Sequence, residues 1–210
     1  MPGNSHEEEM RSRGRKWIVE GSPLHVISDD LRLDIGYEIR SRLKTLPSGR
    51  RLVVLDSGCG HEAGAVRELV QMFRKEVEKG RLEIHGIHLA SSRSWNAFLE
   101  NHRGSGVIFH NKTLREFADT GIHPDIIYDH FGAIAHEPSR RRELASTYVR
   151  ILKSKGVLAF HIPREVFDRR NDPHHWGLPS TVRVVNLGET ESDIGAGDDM
   201  VSKVFHIRKH

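Results

Sequence analysis

Two glycines that follow a short apolar run are the first residues whose types and spacing suggest chemistry. Gly58 and Gly60 come after the apolar run Leu52–Leu55 and the acidic residue Asp56. Glycine lets a backbone turn tightly and approach a ligand closely. A helix that starts near Glu62 would present free N–H groups and the positive end of its dipole to an anion. The pattern therefore predicts a strand, a ligand-binding turn and a helix.

The same turn fits more than one function. The segment Gly58–Ala63 satisfies the G-x-G-x-x-A form of the dinucleotide fingerprint, which admits an oxidoreductase that binds a nicotinamide cofactor. Short glycine patterns also occur wherever a turn merely needs a positive φ angle. The glycines therefore indicate where a ligand would bind without identifying it.

Histidines at the ends of predicted strands form a second group of candidates. They are His88, His110, His130 and His161. The carboxyl ends of parallel strands meet at one edge of a sheet, so we expect these side chains on one rim. Histidine can accept a proton near neutral pH, which makes His130 the first candidate for a general base, with His136 and Asp129 behind it. The alternative for any one of the 15 histidines is a polar rim residue.

The sequence predicts no metal site. No pair of histidines has metal-binding spacing on a predicted helix, and His174 and His175 are adjacent, which is a poor spacing for joint ligation. Cys59 is the one cysteine, so a disulfide within the chain and a cysteine-based zinc cluster are excluded. A nucleophilic role for the Cys59 thiol stays open.

Composition argues against two classes of partner. The 32 basic and 29 acidic residues leave a formal charge of +3, which is too small to mark a dedicated nucleic-acid binder. No segment approaches the ~18 consecutive apolar residues of a membrane span, and the N-terminus has no signal-peptide core. We expect a cytoplasmic protein with no membrane partner. Arg140–Arg142 could form a basic rim for RNA or a phosphorylated metabolite, although a solvated helix face is the favoured interpretation.

Apolar spacing predicts alternating strands and helices between these residues. Strands are predicted at Leu52–Leu55, Leu82–His88, Val107–His110, Asp125–His130 and Val157–Ile162, followed by a hairpin of Thr181–Leu187 and Val201–Ile207 around the loop Gly188–Asp199. Helices are predicted through Leu31–Leu43 behind the caps Asp29 and Asp30, through Val66–Val77, Ser94–Glu100 and Leu114–Thr120, and from Pro138. This alternation predicts a parallel sheet with helices on both faces.

Four segments in this order resemble the class I S-adenosylmethionine-dependent methyltransferases. VVLDSGCG (Val53–Gly60) resembles the first motif of that family, in which an acidic residue precedes a glycine-rich turn. The similarity continues over about residues 30–207 through LEIHGIHLASS (Leu82–Ser92), PDIIYDHFGAIAH (Pro124–His136) and YVRILKSKGVLAFHI (Tyr148–Ile162). Asp56 and the terminal hairpin favour this family over an oxidoreductase.

The resemblance implies a fold, a cofactor and a reaction. The fold would be α/β, with a doubly wound, mostly parallel seven-stranded sheet, helices on both faces and a C-terminal antiparallel hairpin. Residues 1–15 would be a disordered tail and residues 16–210 a single methyltransferase-like domain. The cofactor would be S-adenosylmethionine, and its methyl group would pass to a small-molecule or macromolecular acceptor.

The resemblance also implies site residues. The cofactor-binding candidates are Asp56, Ser57, Gly58, Cys59, Gly60, His88, Leu89, Asn111 and Phe131. Asn111 or Thr113 would lie near the adenine, and Phe131 would pack on the cofactor or the acceptor. The catalytic candidates remain His130 and Asp129. Trp176 is expected to line an acceptor pocket and Trp95 to pack in the core.

Two residues depart from the family pattern. Glu62 stands where the family usually has a third glycine, and His88 stands where an acidic residue commonly accepts hydrogen bonds from both ribose hydroxyls. A neutral imidazole has one acceptor nitrogen, so losing a bidentate contact would cost on the order of 1 kcal/mol of affinity. These residues motivate the alternative function, a catalytically silent binding or scaffolding module with an eroded cofactor pocket.

Overall fold

Seven strands form a single sheet. The computed structural model describes residues 22–89, 93–102, 104–164, 167–168, 170, 172–193 and 199–210, so the predicted tail at residues 1–15 lies outside the described residues. The strands are β1 (Leu52–Ser57), β2 (Leu82–His88), β3 (Val107–Asn111), β4 (Ile126–Asp129), β5 (Val157–Pro163), β6 (Val182–Asp193) and β7 (Asp199–Lys209).

Helices cover both faces of this sheet. They are α1 (Leu24–Asp30), α2 (Ile35–Thr45), α3 (Gly64–Met72), α4 (Arg74–Glu78), α5 (Arg93–Asn101), α6 (Leu114–Ala118), α7 (Ala133–His136) and α8 (Arg141–Ile151), with 3-10 turns at Pro138–Arg140 and Pro173–His175. Helices α1 to α5 contribute to one apolar core and α6 to α8 to the other. No helix of the described segments is long and apolar enough to cross a membrane.

The strand order creates a crevice between β1 and β4. The order is β3-β2-β1-β4-β5-β7-β6, in which β1 to β5 pair in parallel while β7 pairs antiparallel with both β5 and β6. The strands that follow β1 are therefore added on one side of the sheet, and those that follow β4 are added on the other side. In sheets of this kind, ligands bind beyond the carboxyl ends of the strands at the point where the order reverses. All six residues of β1 are buried, as expected for a strand covered on both faces. The predicted fold class is confirmed.

The terminal hairpin is longer than predicted. The predicted loop Gly188–Asp199 is wrong at its ends, because β6 continues to Asp193 and β7 begins at Asp199. The pairing register shifts between Asn186 and Glu189, so that Gly188 is accommodated without ending the strand. Glu189 then pairs with Lys203 across the hairpin. The Glu189 carboxylate contacts Arg164 at 3.4 Å, so this acidic residue has a charged partner within a paired strand.

The N-terminal helix prediction is wrong at its start. Pro23 precedes α1, and a positive φ of 48° at Arg32 separates α1 from α2. The cap of α2 is Asp34, whose carboxylate accepts the Tyr37 N–H at 2.7 Å. Asp30, one of the two predicted caps, is instead the last residue of α1 and is only 6% exposed.

Two further expectations about the elements need correction. The helix predicted from near Glu62 begins at Gly64, because Ala63 adopts a left-handed φ of 50°, and Phe73 divides it into α3 and α4. Trp176 does not line a surface pocket, since it is 1% exposed and its indole N–H donates to the Arg170 carbonyl at 3.0 Å. Trp95 packs in the core as predicted.

Two of the three consecutive arginines, Arg140 and Arg141, lie in different environments. Arg140 is exposed and forms ion pairs with Glu137 and Glu143, both at 2.8 Å. Arg141 is 2% exposed and donates to the Ile134 carbonyl at 2.8 Å. Arg141 therefore braces the backbone at the end of α7 and cannot belong to a basic rim.

Candidate cofactor and acceptor site

The loops after β1 and β4 touch backbone to backbone at the crevice. Gly58 has a φ of +100°, and a Cβ atom there would lie 2.7 Å from the Cα of Gly132. A Cβ atom on Gly132 would lie 2.1 Å from the carbonyl oxygen of Ser57. Gly58 is therefore required for contact between the two loops as well as for the turn.

Hydrogen bonds to β2 and α5 hold the β1 loop, and the N–H groups that follow have no hydrogen-bond acceptor among the described residues. The N–H groups of Gly58 and Cys59 donate to the Ile87 carbonyl at 3.0 and 3.2 Å, and the Trp95 indole donates to the Gly60 carbonyl at 3.2 Å. The next backbone N–H groups have no acceptor among the described residues; they belong to Gly60, His61, Glu62 and Ala63. Consecutive free donors before a helix suit an anionic group such as a carboxylate.

Glu62 is engaged by neighbouring helices. Its carboxylate accepts a hydrogen bond from the Ser94 hydroxyl of α5 and lies 4.0 Å from the Arg67 guanidinium of α3. Arg67 also donates to the Glu62 carbonyl at 2.6 Å. The departure from the family pattern at Glu62 therefore has a structural partner outside the turn.

Cys59 does not have the environment of a nucleophile. The thiol is 4% exposed, and burial, with the nearby Asp56, raises its pKa well above the usual value. A Cβ atom on Gly86 would lie 2.8 Å from the sulfur, so Gly86 makes room for this side chain. The thiol stays protonated near neutral pH and packs in the apolar core.

Asp56 is a buried carboxyl group behind the turn. It is 2% exposed, and burial raises its pKa to about 8. The nearby Tyr128 hydroxyl opposes this rise, and the negative charge of Asp129 adds to it. Asp56 is therefore mainly neutral at pH 7.

Asp129 holds the β4 loop in place. One carboxylate oxygen accepts the Gly132 N–H at 2.9 Å, and the other accepts the Ile134 N–H at 3.2 Å and the Tyr148 hydroxyl at 2.5 Å. The Ser57 hydroxyl also hydrogen-bonds Tyr148, which ties β1 to this network. Burial raises the pKa of Asp129 to about 6, and the bonds from Tyr148 and the backbone oppose that rise. Both oxygens are occupied, which favours a positioning role over proton transfer.

His130 follows Asp129 and meets the N-terminal helix. Its Nε2 lies 2.8 Å from a carboxylate oxygen of Asp30, and its side chain is 3% exposed. The His130 ring stacks against His161 at 5.2 Å and meets Phe131 edge-on at 4.5 Å. The loop after β4, strand β5 and α1 thus bring three rings and a carboxylate together.

The other predicted cofactor residues lie at the ends of β2 and β3. The His88 ring is 4.5 Å from that of His61 and 5.8 Å from that of Trp95. Leu89 is 72% exposed, and Asn111 is exposed at the end of β3. An apolar side chain this exposed beside a loop with free donors is a natural contact for a ligand ring.

His110 belongs to a separate buried network. Its Nε2 lies 2.8 Å from Nδ1 of His85, whose Nε2 lies 2.7 Å from a carboxylate oxygen of Glu83. Burial lowers the pKa of each histidine to about 4, with Arg51 adding to the effect at His85 and the neighbouring His85 adding to it at His110. The two imidazoles are neutral at pH 7. Of the four rim histidines, His130 and His161 come together, while His88 and His110 lie apart from them.

The sequence did not predict the roles of three residues of the site. Asp30 was predicted to be a helix cap, and no role was predicted for Tyr148 or Gly132. The described residues contain no group of three or more histidine, cysteine, aspartate or glutamate side chains able to hold a metal ion. The side chain of His136, the other histidine candidate, lies outside the described part of the chain.

Comparison with known proteins identifies the fold. No protein-family model matches the chain, and no curated protein matches its sequence. The chain is similar to the DszA carbon methyltransferase, with 14% identity, a TM-score of 0.61, and coverage of 95% of this chain and 57% of that one. It therefore spans little more than half of that protein.

Two other solved structures are similar over most of their length. One is magnesium protoporphyrin IX methyltransferase from Synechocystis PCC 6803 with bound S-adenosylmethionine (14% identity, TM-score 0.54, coverage 99% and 93%). The other is the Burkholderia thailandensis 1,6-didemethyltoxoflavin-N1-methyltransferase with bound S-adenosylhomocysteine (14% identity, TM-score 0.55, coverage 98% and 86%). The chain has the class I methyltransferase fold.

Proposed function

We propose that the chain transfers a methyl group from S-adenosylmethionine to an acceptor bound beside His130. The observation that carries the proposal is the run of N–H groups from Gly60 to Ala63 that have no acceptor among the described residues at the β1–β4 crevice. The class I methyltransferase fold and the S-adenosylmethionine or S-adenosylhomocysteine bound to two similar structures support it.

The residues at the crevice fit the parts of this cofactor. The free N–H groups suit the methionine carboxylate, and exposed Leu89 would cover one face of the adenine. His88 and Asn111 stand at the strand ends where ribose and adenine would lie, while Asp56 and Ser57 are the buried residues of β1 that directly precede the loop. When bound, S-adenosylmethionine supplies an electrophilic methyl group on a sulfonium centre.

The chain's own contribution to the reaction is alignment and proton removal. Displacement at a methyl group needs the nucleophile held in line, and the bonds of Asp129 to Gly132 and Ile134 fix the loop that carries His130 and Phe131. His130 then accepts the acceptor's proton as general base. Its low exposure limits competing water.

The site assignment predicts a selective loss in Leu89→Ala. The side chain is 72% exposed, so its removal should scarcely change folding stability. Removing a contact that buries an apolar side chain should weaken S-adenosylhomocysteine binding about tenfold. The measurement is calorimetric titration. Met72→Ala is the matched control, because Met72 is also exposed (49%) but lies on α3. Equal affinities for both variants would contradict this placement of the adenine.

The base assignment predicts that His130→Ala lowers turnover about 100-fold or more, while affinity for S-adenosylhomocysteine stays within twofold. Turnover is measured as S-adenosylhomocysteine formation with phenol or benzylamine as acceptor. His174→Ala, which removes an exposed histidine, is the control and should retain activity. Unchanged turnover in His130→Ala would remove His130 as the base.

One observation favours a second function. His88 replaces a bidentate acceptor by an imidazole packed against His61 and Trp95, which would weaken the hold on the ribose. A chain that had lost the cofactor would be a binding or scaffolding module on the same fold. The two functions differ in whether S-adenosylmethionine binds at all.

A further inference from the structure

We propose that Asp30, from the N-terminal helix α1, is a positioning residue that fixes the tautomer of His130. The pair thereby selects an acceptor whose nucleophilic oxygen or nitrogen carries a proton. The inference rests on the proposed methyl transfer but concerns a contact that exists without the cofactor. It begins from the 2.8 Å separation between Asp30 Oδ2 and His130 Nε2.

That contact determines which imidazole nitrogen is basic. An ionised carboxylate has no proton to give, so Nε2 of His130 must donate. In the neutral ring the proton then sits on Nε2 and the lone pair on Nδ1. Asp30 is the one hydrogen-bond partner of His130 within the described part of the chain, which leaves Nδ1 for an acceptor. The carboxylate also stabilises the imidazolium that forms when Nδ1 takes a proton.

The neighbouring histidine cannot take the same role in this arrangement. Phe131 has a positive φ of 52°, and its backbone N–H donates to Nε2 of His161 at 3.3 Å. That bond occupies the lone pair on Nε2 and places the proton of the neutral ring on Nδ1. Stacked at 5.2 Å, the two imidazoles therefore have different roles, and the basic nitrogen belongs to His130.

The position of Asp30 is unfavourable for a purely structural acid. It is the last residue of α1, where the helix dipole disfavours negative charge, and only 6% of it is exposed. No cation among the described residues pairs with it, so its partner is His130. A buried acid at a helix C-terminus is a costly arrangement unless a partner offsets it, and among the described residues His130 is that partner.

The pair constrains the acceptor. A thiolate or a carboxylate reaches a methyl group without losing a proton and gains nothing from a base. A hydroxyl group or an ammonium nitrogen must lose its proton: the O–H or N–H bond breaks and the proton goes to Nδ1 of His130. The freed electron pair would then form the bond to the methyl carbon, while the bond from that carbon to the cofactor's sulfur breaks and its electrons stay on sulfur to give S-adenosylhomocysteine. Asp30 and His130 therefore fit acceptors of this second kind.

The first test reads the tautomer of His130 in the protein alone. Nitrogen-15 NMR of the chain, with the His130 signal assigned from His130→Gln, should show the proton on Nε2. In Asp30→Ala the signal should move toward a mixture of tautomers, while Asp29→Ala, which removes the exposed acid next to it, should match the wild type. A proton on Nδ1 in the wild type, or no change in Asp30→Ala, would overturn the proposal. Asp30→Leu, which is close in size to aspartate and cannot accept a hydrogen bond, serves if Asp30→Ala does not fold.

The second test reads the acceptor class with four probes that share one ring: phenol, benzylamine, thiophenol and benzoate. We expect turnover of phenol or benzylamine, lowered about tenfold or more by Asp30→Ala with S-adenosylhomocysteine affinity unchanged. Turnover confined to thiophenol or benzoate would overturn the acceptor class. If none reacts, the tautomer decides the role of Asp30. If the wild type does not bind S-adenosylhomocysteine, the proposed function fails. The role of Asp30 is judged separately, because the tautomer is measured without cofactor.

Discussion

Gly132→Ala is expected to destabilise the chain by about 3 kcal/mol or more, because the new methyl group would overlap the main chain of the neighbouring loop. Its Cβ atom would lie 2.1 Å from the Ser57 carbonyl oxygen and 2.7 Å from a carboxylate oxygen of Asp129. Neither neighbour can yield easily, since Ser57 is in β1 and Asp129 is held by three hydrogen bonds. Urea unfolding measures the loss.

A matched control separates this overlap from the general effect of replacing glycine. Gly80 has a φ of +66°, and a Cβ atom there would have nothing within 4 Å. Gly80→Ala should therefore lose only the backbone cost of about 1–2 kcal/mol. A loss in Gly132→Ala no larger than that in Gly80→Ala would show that the two loops do not pack as described.

Asp56→Asn is expected to remove a fall in stability at alkaline pH. The free carboxyl group has a pKa of 3.8, whereas burial raises the folded-state pKa to about 8, so the folded state holds a proton that the unfolded state has released. Stability from this group is therefore present at low pH and lost as pH rises from about 4 to 8. Asparagine does not ionise, so the variant gains stability over the wild type as pH rises.

The clearest window for this test lies between pH 6.5 and 8. At lower pH, Asp129 also titrates, and the lowered pKa values of His85 and His110 make stability rise with pH, which opposes the effect. Above pH 6.5 the contributions of these groups diminish, and because they are common to both proteins they cancel in the difference. The wild type should lose about 2 kcal/mol relative to Asp56→Asn between pH 6.5 and 8. Urea unfolding at several pH values measures this. Asp119→Asn at an exposed acid is the control, and parallel curves for all three proteins would contradict it.

The sheet and its glycine turn were predictable because their signals are local. Continuous apolar runs such as Leu52–Leu55 indicate buried parallel strands, and the break at Gly58 and Gly60 marks the turn. The hairpin was predicted too short, because the pairing of Glu189 with Lys203 joins residues on two strands and leaves no periodic pattern in either.

The candidate site was predictable only in part. The place of His130 followed from the end of β4, but its contact with Asp30 spans 100 positions of sequence and depends on how α1 packs. The role of Asp129 was hidden for a similar reason, since the Tyr148 hydroxyl that occupies it comes from α8. Gly132 was not predicted at all, because a requirement for glycine at a close approach is visible only when both backbones are placed.

Calorimetric titration of the purified chain with S-adenosylmethionine and, separately, S-adenosylhomocysteine tests the central claim most directly. The experiment is made at neutral pH on protein without a histidine tag, so that bound metal does not contribute. The free N–H groups of the β1 loop and the exposed Leu89 predict micromolar binding of both compounds. No binding up to millimolar concentrations would contradict the account and favour the silent module.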